Sequence, residues 1–99
     1  KLNMFVLQRS ADMFLGIPYD IALFSRLLLF IAGKTNLIAN KVSLTMVDCH
    51  IYDNQHEQVS KYLKNETFDF PSYSYCAEKD KLVLNNYKSN GAIKAKVAV

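Results

Sequence analysis

The segment from Gly16 to Lys34 constrains the fold more than any other. Ile21, Phe24, Leu27, Leu28 and Ile31 recur at helical spacing, and Leu23, Leu29 and Phe30 fill most of the positions between them. Gly16 and Pro18 mark a sharp change of direction, and Pro18 suits the first turn of a helix, where a missing N–H costs nothing. Gly33 with Lys34 is a plausible stop. The pattern predicts a helix over Tyr19–Gly33, apolar enough to be buried nearly all round. The run Ile21–Ala32 falls short of the roughly 20 apolar residues of a membrane span. Asp20, Ser25 and Arg26 border or interrupt it. The helix is therefore expected inside a protein core, with the rest of the chain arranged around it.

Lys1–Gln8 is apolar on both alternating faces, which predicts a strand covered on both sides. Arg9–Ile17 reads as irregular. Lys41–Asp48 alternates Val42, Leu44 and Met46 with Ser43, Thr45 and Val47, and reads as a second strand. An amphipathic helix follows over Asp53–Asn65, with Val59, Tyr62 and Leu63 on one face and Asp53 or Asn54 as its cap. Thr67–Cys76 is an aromatic strand interrupted by Pro71. Ala77–Lys81 is a charged turn, Leu82–Tyr87 a short strand, Lys88–Gly91 a turn and Ala92–Val99 a tail. Strands and helices mix without strict alternation, so the expected class is α+β, one domain over 1–99.

The 99 residues allow one modest core, and a hydrophobic fraction of 51% is rich for that length. Either the core is efficient or apolar surface meets a partner. The net charge of +3 is scattered, which argues against a nucleic-acid partner but suits a small anionic ligand. No signal peptide is visible. Cys49 and Cys76 lack a disulfide spacing, so a reduced, cytoplasmic setting is the default.

Chemistry-bearing residues fall in two clusters. Gln8–Asp20 sets an arginine, a serine, two aspartates and a glycine between strongly apolar segments. Arg9 and Ser10 could supply a guanidinium fork and a hydroxyl to a phosphate, or be an ordinary surface pair. His50 and Tyr52 project to one side of an extended segment and could grip a small polar ligand, or be satisfied inside the fold. Cys49 faces away from His50, which makes the two a poor nucleophile–base pair, and reads as a packing residue. Cys49, His50, His56 and Cys76 match no usual zinc spacing, and no metal is expected.

The stretch Gln8-Arg9-Ser10-Ala11-Asp12-Met13-Phe14-Leu15-Gly16-Ile17-Pro18-Tyr19-Asp20 closely resembles the signature of the thymidylate synthase and deoxycytidylate hydroxymethylase family. Asp48-Cys49-His50-Ile51-Tyr52-Asp53-Asn54-Gln55 resembles its next motif, Asp-x-His-x-Tyr-x-Asn-His. Asn86-Tyr87 and Ala92–Val99 resemble its C-terminus. The resemblance implies the C-terminal portion of that α+β fold, a mixed sheet with a long buried helix. The implied activity is one-carbon transfer from 5,10-methylenetetrahydrofolate, a cosubstrate, to C5 of a pyrimidine deoxynucleoside monophosphate, with a cysteine adding to C6. Arg9 and Ser10 would hold the 5′-phosphate, and His50 and Tyr52 the 3′-hydroxyl. Asp12, Leu15, Gly16 and Tyr19 would meet the folate. Gln8 would support the nucleophile and phosphate region, and Ala98 and Val99 would close over the ligands. A homodimer joined sheet to sheet is implied as well.

The chain departs from the family pattern at several positions. Asp20 stands where thymidylate synthases usually have asparagine, and cytosine-specific members carry aspartate there. An ionised carboxylate accepts from the exocyclic amine of cytosine but opposes O4 of uracil. The resemblance therefore leans to dCMP and a dCMP hydroxymethylase-like reaction. The alternatives are thymidylate synthase acting on dUMP, or a noncatalytic nucleotide-binding relic. Met46-Val47 replaces Gly-Gly, Gln55 replaces a histidine, and Ser89-Asn90-Gly91 lies where many members have histidine before proline. The Pro-Cys-His segment of the nucleophile is not among the 99 residues. Turnover is accordingly expected to need an N-terminal portion or a partner chain.

Overall fold

The computed structural model describes residues 1–97. Ala98 and Val99, expected at the folate, lie outside the described residues. The element order is β1 (Leu2–Asp12), α1 (Ile17–Thr35), β2 (Ala39–His50), a 3-10 turn (Asp53–Gln55), α2 (His56–Leu63), β3 (Ser72–Cys76) and β4 (Lys81–Asn85). The class is α+β. The strands form two pairs, β1 with β2 in parallel and β3 with β4 antiparallel.

Parallel pairing needs a long crossover, and α1 supplies it. The ladder runs Met4↔Val42, Val6↔Leu44, Gln8↔Met46, Ser10↔Asp48 and Asp12↔His50. It carries β1 through Arg9–Asp12, where the sequence pattern predicts irregular chain. It also carries β2 two residues beyond Asp48. Long-range hydrogen bonds to a neighbouring strand, not local propensity, make these residues extended.

Even-numbered residues from Leu2 to Ser10 are half-buried, and the odd-numbered ones from Asn3 to Arg9 are exposed. Phe5 is 75% exposed and Leu7 68%. The expectation of a strand covered on both faces is therefore corrected, because among the described residues β1 has a neighbouring layer on one face only. α1 packs against β1 and β2 and, through other residues, against the β3–β4 hairpin. Ala11, Ile17, Leu28 and Ala32 form the fully buried core.

The expectation of an all-round buried α1 is corrected too. Ile21, Leu23, Leu27 and Ile31 are all exposed, Leu23 at 61%. The sheet and the hairpin cover part of the helix, and nothing among the described residues stacks on the rest. No helix among these residues is long and apolar enough to cross a membrane.

Pro18 sits in the first turn of α1, as predicted. The end of the helix differs. α1 passes through Gly33 and stops at Asn36, whose backbone is left-handed (φ 56°) and whose N–H donates to Ala32 O. Asparagine adopts this conformation more readily than most residues. Gly33 has another purpose: a Cβ there would lie 2.5 Å from two ring atoms of Tyr75 in β3. The bare backbone lets the hairpin seat on the helix. Phe30 meets the Tyr75 ring edge-on with centroids 5.8 Å apart, and the Arg26 guanidinium lies 5.7 Å from the Tyr73 ring centroid.

The segment after β2 is a 3-10 turn followed by a two-turn helix. Neither Asp53 nor Asn54 caps it, since neither helical piece has a side-chain cap. The apolar face expected of α2 is largely open, with Leu63 75% exposed. Tyr62 packs edge-on against Phe14. The expected aromatic strand over Thr67–Cys76 is corrected: Thr67–Pro71 pairs with no strand among the described residues, and β3 spans only Ser72–Cys76. The charged turn is tied to α1, where Asp80 accepts from Lys34 Nζ at 3.1 Å and from the Tyr75 hydroxyl.

Two predictions follow from this docking. Gly33→Ala lowers stability by about 1–2 kcal/mol even though alanine favours helix, because overpacking against the base of a held ring outweighs a propensity gain of about 1 kcal/mol. Urea unfolding measures it, and Tyr75→Ala introduced beside Gly33→Ala relieves the clash. Asp80 is held below its ordinary value by the Tyr75 hydroxyl and then by Lys34. A depressed folded-state value means that the stabilisation is present above the unfolded carboxyl's pKa and is lost as pH falls through the folded one. The hairpin therefore loosens below about pH 4, read as the loss of Tyr75–Phe30 ring contacts by NMR.

Candidate functional site

β1 and β2 end at the same edge of their ladder, and α1 begins there. Side groups at the carboxyl ends of adjacent parallel strands, beside a helix N-terminus, form the usual ligand crevice of a βαβ unit. Gln8, Ser10 and Asp12 share the α1-facing side of β1. The turn after β1 is built by Asp12, whose Oδ1 accepts from Phe14 N (3.1 Å) and Leu15 N (3.3 Å). Its main chain also turns, with Gly16 N–H donating to Asp12 O at 3.0 Å. Local side-chain acceptance of this kind is why aspartate starts turns well.

Gly16 lies between the two aspartates. A Cβ there would stand 3.0 Å from Asp12 O, 3.4 Å from Asp12 Cβ and 3.7 Å from Asp20 Oδ2. Asp20 N–H donates to Gly16 O at 2.9 Å and starts the α1 hydrogen-bond pattern. Across the crevice, Gln8 Nε2 donates to Asp20 Oδ2 at 2.9 Å and to Ser10 O at 3.2 Å. Both partners are acceptors, so the amide nitrogen must face them. The Gln8 Oε1 atom is buried with no partner among the described residues.

His50 and Tyr52 also meet, as predicted. Their ring centroids are 4.8 Å apart in an edge-on arrangement. Asp48 Oδ1 lies 3.5 Å from His50 Nδ1 on the same side of β2. The His50 carbonyl receives Met13 N–H at 2.9 Å, which joins this pair to the turn after Asp12.

Other predicted residues stand apart. Arg9 is exposed on the opposite face of β1 from Gln8 and Ser10, so Arg9 and Ser10 do not form a joint fork in this arrangement. Tyr19 is 77% exposed on the first turn of α1, and Leu15 is half-buried. Cys49 is exposed, which corrects its reading as a packing residue: the outer face of β2 has no layer against it among the described residues. No group of three or more His, Cys, Asp or Glu among those residues could hold a metal ion. Two open surface pits lie along α2, one against Ala92–Lys94 and one beside Ile51.

Sequence reading passed over one residue of consequence. Gln55 is completely buried, and its Nε2 donates to the Lys96 carbonyl at 3.3 Å. Its only signal in the sequence was its place at the end of the Asp-x-His-x-Tyr motif.

The site is thus an edge-of-sheet crevice of an α+β domain, with two carboxylates, a buried amide and a His–Tyr pair around it. Residues 1–99 match the family model described as thymidylate synthase, and the chain belongs to that family. The thymidylate synthase of Francisella philomiragia is 37% identical over 107 aligned residues, covering all of this chain and 39% of the relative. That of Francisella tularensis subsp. holarctica is 36% identical over the same length and coverage. The crystal structure of thymidylate synthase from T4 phage superposes with a TM-score of 0.77 at 32% identity, covering 94% of this chain and 40% of that one. The chain therefore spans about two fifths of the length of these relatives.

One prediction concerns the amide that bridges strand and helix. Gln8→Leu leaves a part-buried carboxylate oxygen and a carbonyl without their shared donor, and costs about 1–3 kcal/mol in urea unfolding. Gln8→Glu costs at least as much, because it sets a second carboxylate against Asp20. Equal stability of all three proteins would show that the bridge carries no weight.

Proposed function

We propose that this chain is the nucleotide- and folate-binding portion of a pyrimidine deoxynucleotide C5 one-carbon transferase acting on dCMP, in the manner of a dCMP hydroxymethylase. The observation that carries the reading is the Gln8–Asp20 bond. Gln8 Nε2 donates to Asp20 Oδ2 at 2.9 Å and so fixes the orientation of that carboxylate. The remaining oxygen can then accept from the exocyclic amine of cytosine. Uracil would present its O4 acceptor to the same carboxylate. An acceptor pair of that kind costs about 1–3 kcal/mol.

The other assignments rest on the family and on placement. Ser10 takes the 5′-phosphate, and His50 with Tyr52 takes the 3′-hydroxyl. Among the described residues Asp12 Oδ2 has no hydrogen bond while Oδ1 holds the turn, so that oxygen is available to a pterin N–H. Gly16 leaves a cradle that a Cβ would fill, which suits the approach of a flat ring. Leu15 and Tyr19 flank that cradle. Methylenetetrahydrofolate supplies the one-carbon unit. The chain's own residues bind, orient and exclude water, and Ala98 and Val99 close the site. The attacking cysteine comes from outside these 99 residues.

The open apolar surfaces support assembly with further protein. Phe5, Leu7 and Val47 are exposed on the outer face of the parallel pair and suit a sheet-to-sheet homodimer. The exposed side of α1 suits the remainder of the family fold. A second reading, thymidylate synthase acting on dUMP, is favoured by the names of the relatives. Tritium release from C5 decides between them in the full-length polypeptide that carries this chain. dCMP is expected to be turned over at least about tenfold more efficiently than dUMP, and Asp20→Asn to reverse the order. If dUMP reacts as well as dCMP, the argument from Asp20 fails.

A further inference from the structure

Asn90 is followed by Gly91, and no other asparagine of the chain precedes a glycine. The dipeptide lies in a stretch that is neither helix nor strand, and Ser89, Asn90 and Gly91 are all exposed. Gly91 adopts φ 92°, a conformation that glycine takes without strain. A Cβ built there would meet nothing within 4 Å. No side chain of its own crowds the Gly91 nitrogen, and the space beside its Cα is open. Its N–H donates to Ser89 Oγ at 3.3 Å in a local hydroxyl turn, so a strand ladder does not hold it.

The Asn90 carboxamide makes one long-range contact. Its Nδ2 donates to the Glu66 carbonyl at 2.8 Å, across 24 positions of sequence. This bond ties the turn at Ser89–Gly91 to the segment between α2 and β3. It stands in solvent, where water competes for both groups. It therefore joins two parts of the chain without locking the carboxamide in place.

We propose that Asn90–Gly91 is a site of spontaneous deamidation, and that the conversion breaks the tie to Glu66. The Gly91 amide nitrogen gives up its proton and attacks Asn90 Cγ. A bond forms between that nitrogen and Cγ, the Cγ–Nδ2 bond breaks, and ammonia leaves with the proton. The product is a five-membered succinimide. Water then opens the ring. Attack at the former side-chain carbonyl gives aspartate, and attack at the main-chain carbonyl gives isoaspartate, whose backbone runs through the old side chain. The net change is water consumed and ammonia released, with no oxidation or reduction. Either product has a carboxylate where the amide donor was. A carboxylate accepts only, so it opposes the Glu66 carbonyl and the hydrogen bond is lost.

Two measurements on the full-length polypeptide test this. The first is mass spectrometry after incubation in mildly alkaline buffer. Trypsin cuts after Lys88 and Lys94 and releases Ser89–Lys94. Its aspartate and isoaspartate forms should accumulate at least about tenfold faster than conversion at Asn36, Asn40 or Asn65, which precede Leu37, Lys41 and Glu66. Gly91→Ala should slow the conversion about tenfold, and the folded protein should convert within about tenfold of a free peptide of sequence Ser89–Lys94. Slower conversion than that in the folded protein means that the fold protects Asn90, and overturns the site, as does a rate no faster than at the other asparagines. The second is chymotryptic cleavage after exposed Tyr87. Asn90→Asp, which reproduces one product, and Asn90→Ala, which removes the donor without adding charge, should both accelerate it about threefold, the scale of one exposed hydrogen bond. Equal cleavage of all three proteins overturns the tie to Glu66.

Discussion

The parallel register of β1 against β2 is the constraint on which the rest depends. It sets Asp12 opposite His50 and so brings the two sequence clusters to one edge. Side chains alternate along a strand, so a slip of one residue would turn Gln8, Ser10 and Asp12 away from α1. The helix is the crossover that parallel pairing requires, and its first turn begins where β1 stops. Strand pairing and site assembly are thus one event: the edge that ends the ladder is the edge that gathers the polar groups.

α1 carries the second layer of the argument. It packs on the sheet with one part of its surface and receives the hairpin with another, through the missing Cβ of Gly33. Much of its remaining apolar surface stays open, as does the outer face of β1. Residues such as Phe5, Leu7 and Leu23 would each gain about 1.5–3 kcal/mol from burial, so a chain with this surface is set up to be covered.

The sequence made legible what is periodic or carried by a contiguous motif. The α1 helix, the start of β1 and the meeting of His50 with Tyr52 all follow from spacing. Arg9–Asp12 did not, because its extended form depends on a partner strand almost forty residues away. Gly33 looked like a helix stop because local rules cannot see Tyr75 arriving from β3. Asn36, which ends the helix, gave a weaker signal than a glycine. The burial expected of α1 did not follow from its apolar composition, because among the described residues only the sheet and the hairpin cover it. Gln55 was invisible as an anchor, since a glutamine gains that meaning only when a carbonyl from the tail reaches it.

The two aspartates of the crevice are held in different ways, and that difference separates their duties. Asp12 takes its donors from the two residues just beyond it in its own turn, so its geometry is fixed by a few neighbouring residues. Asp20 takes its side-chain donor from Gln8, on another element, and that donor is itself shared with the Ser10 carbonyl. The first carboxylate is therefore insensitive to how α1 sits on the sheet, whereas the second reports it directly. A group proposed to read the edge of a base, as Asp20 is, would have to be placed relative to the sugar and phosphate sites proposed on β1 and β2. Gln8 couples the helix to the strand and so sets Asp20 relative to β1, whereas the turn at Asp12 is held by its own neighbours.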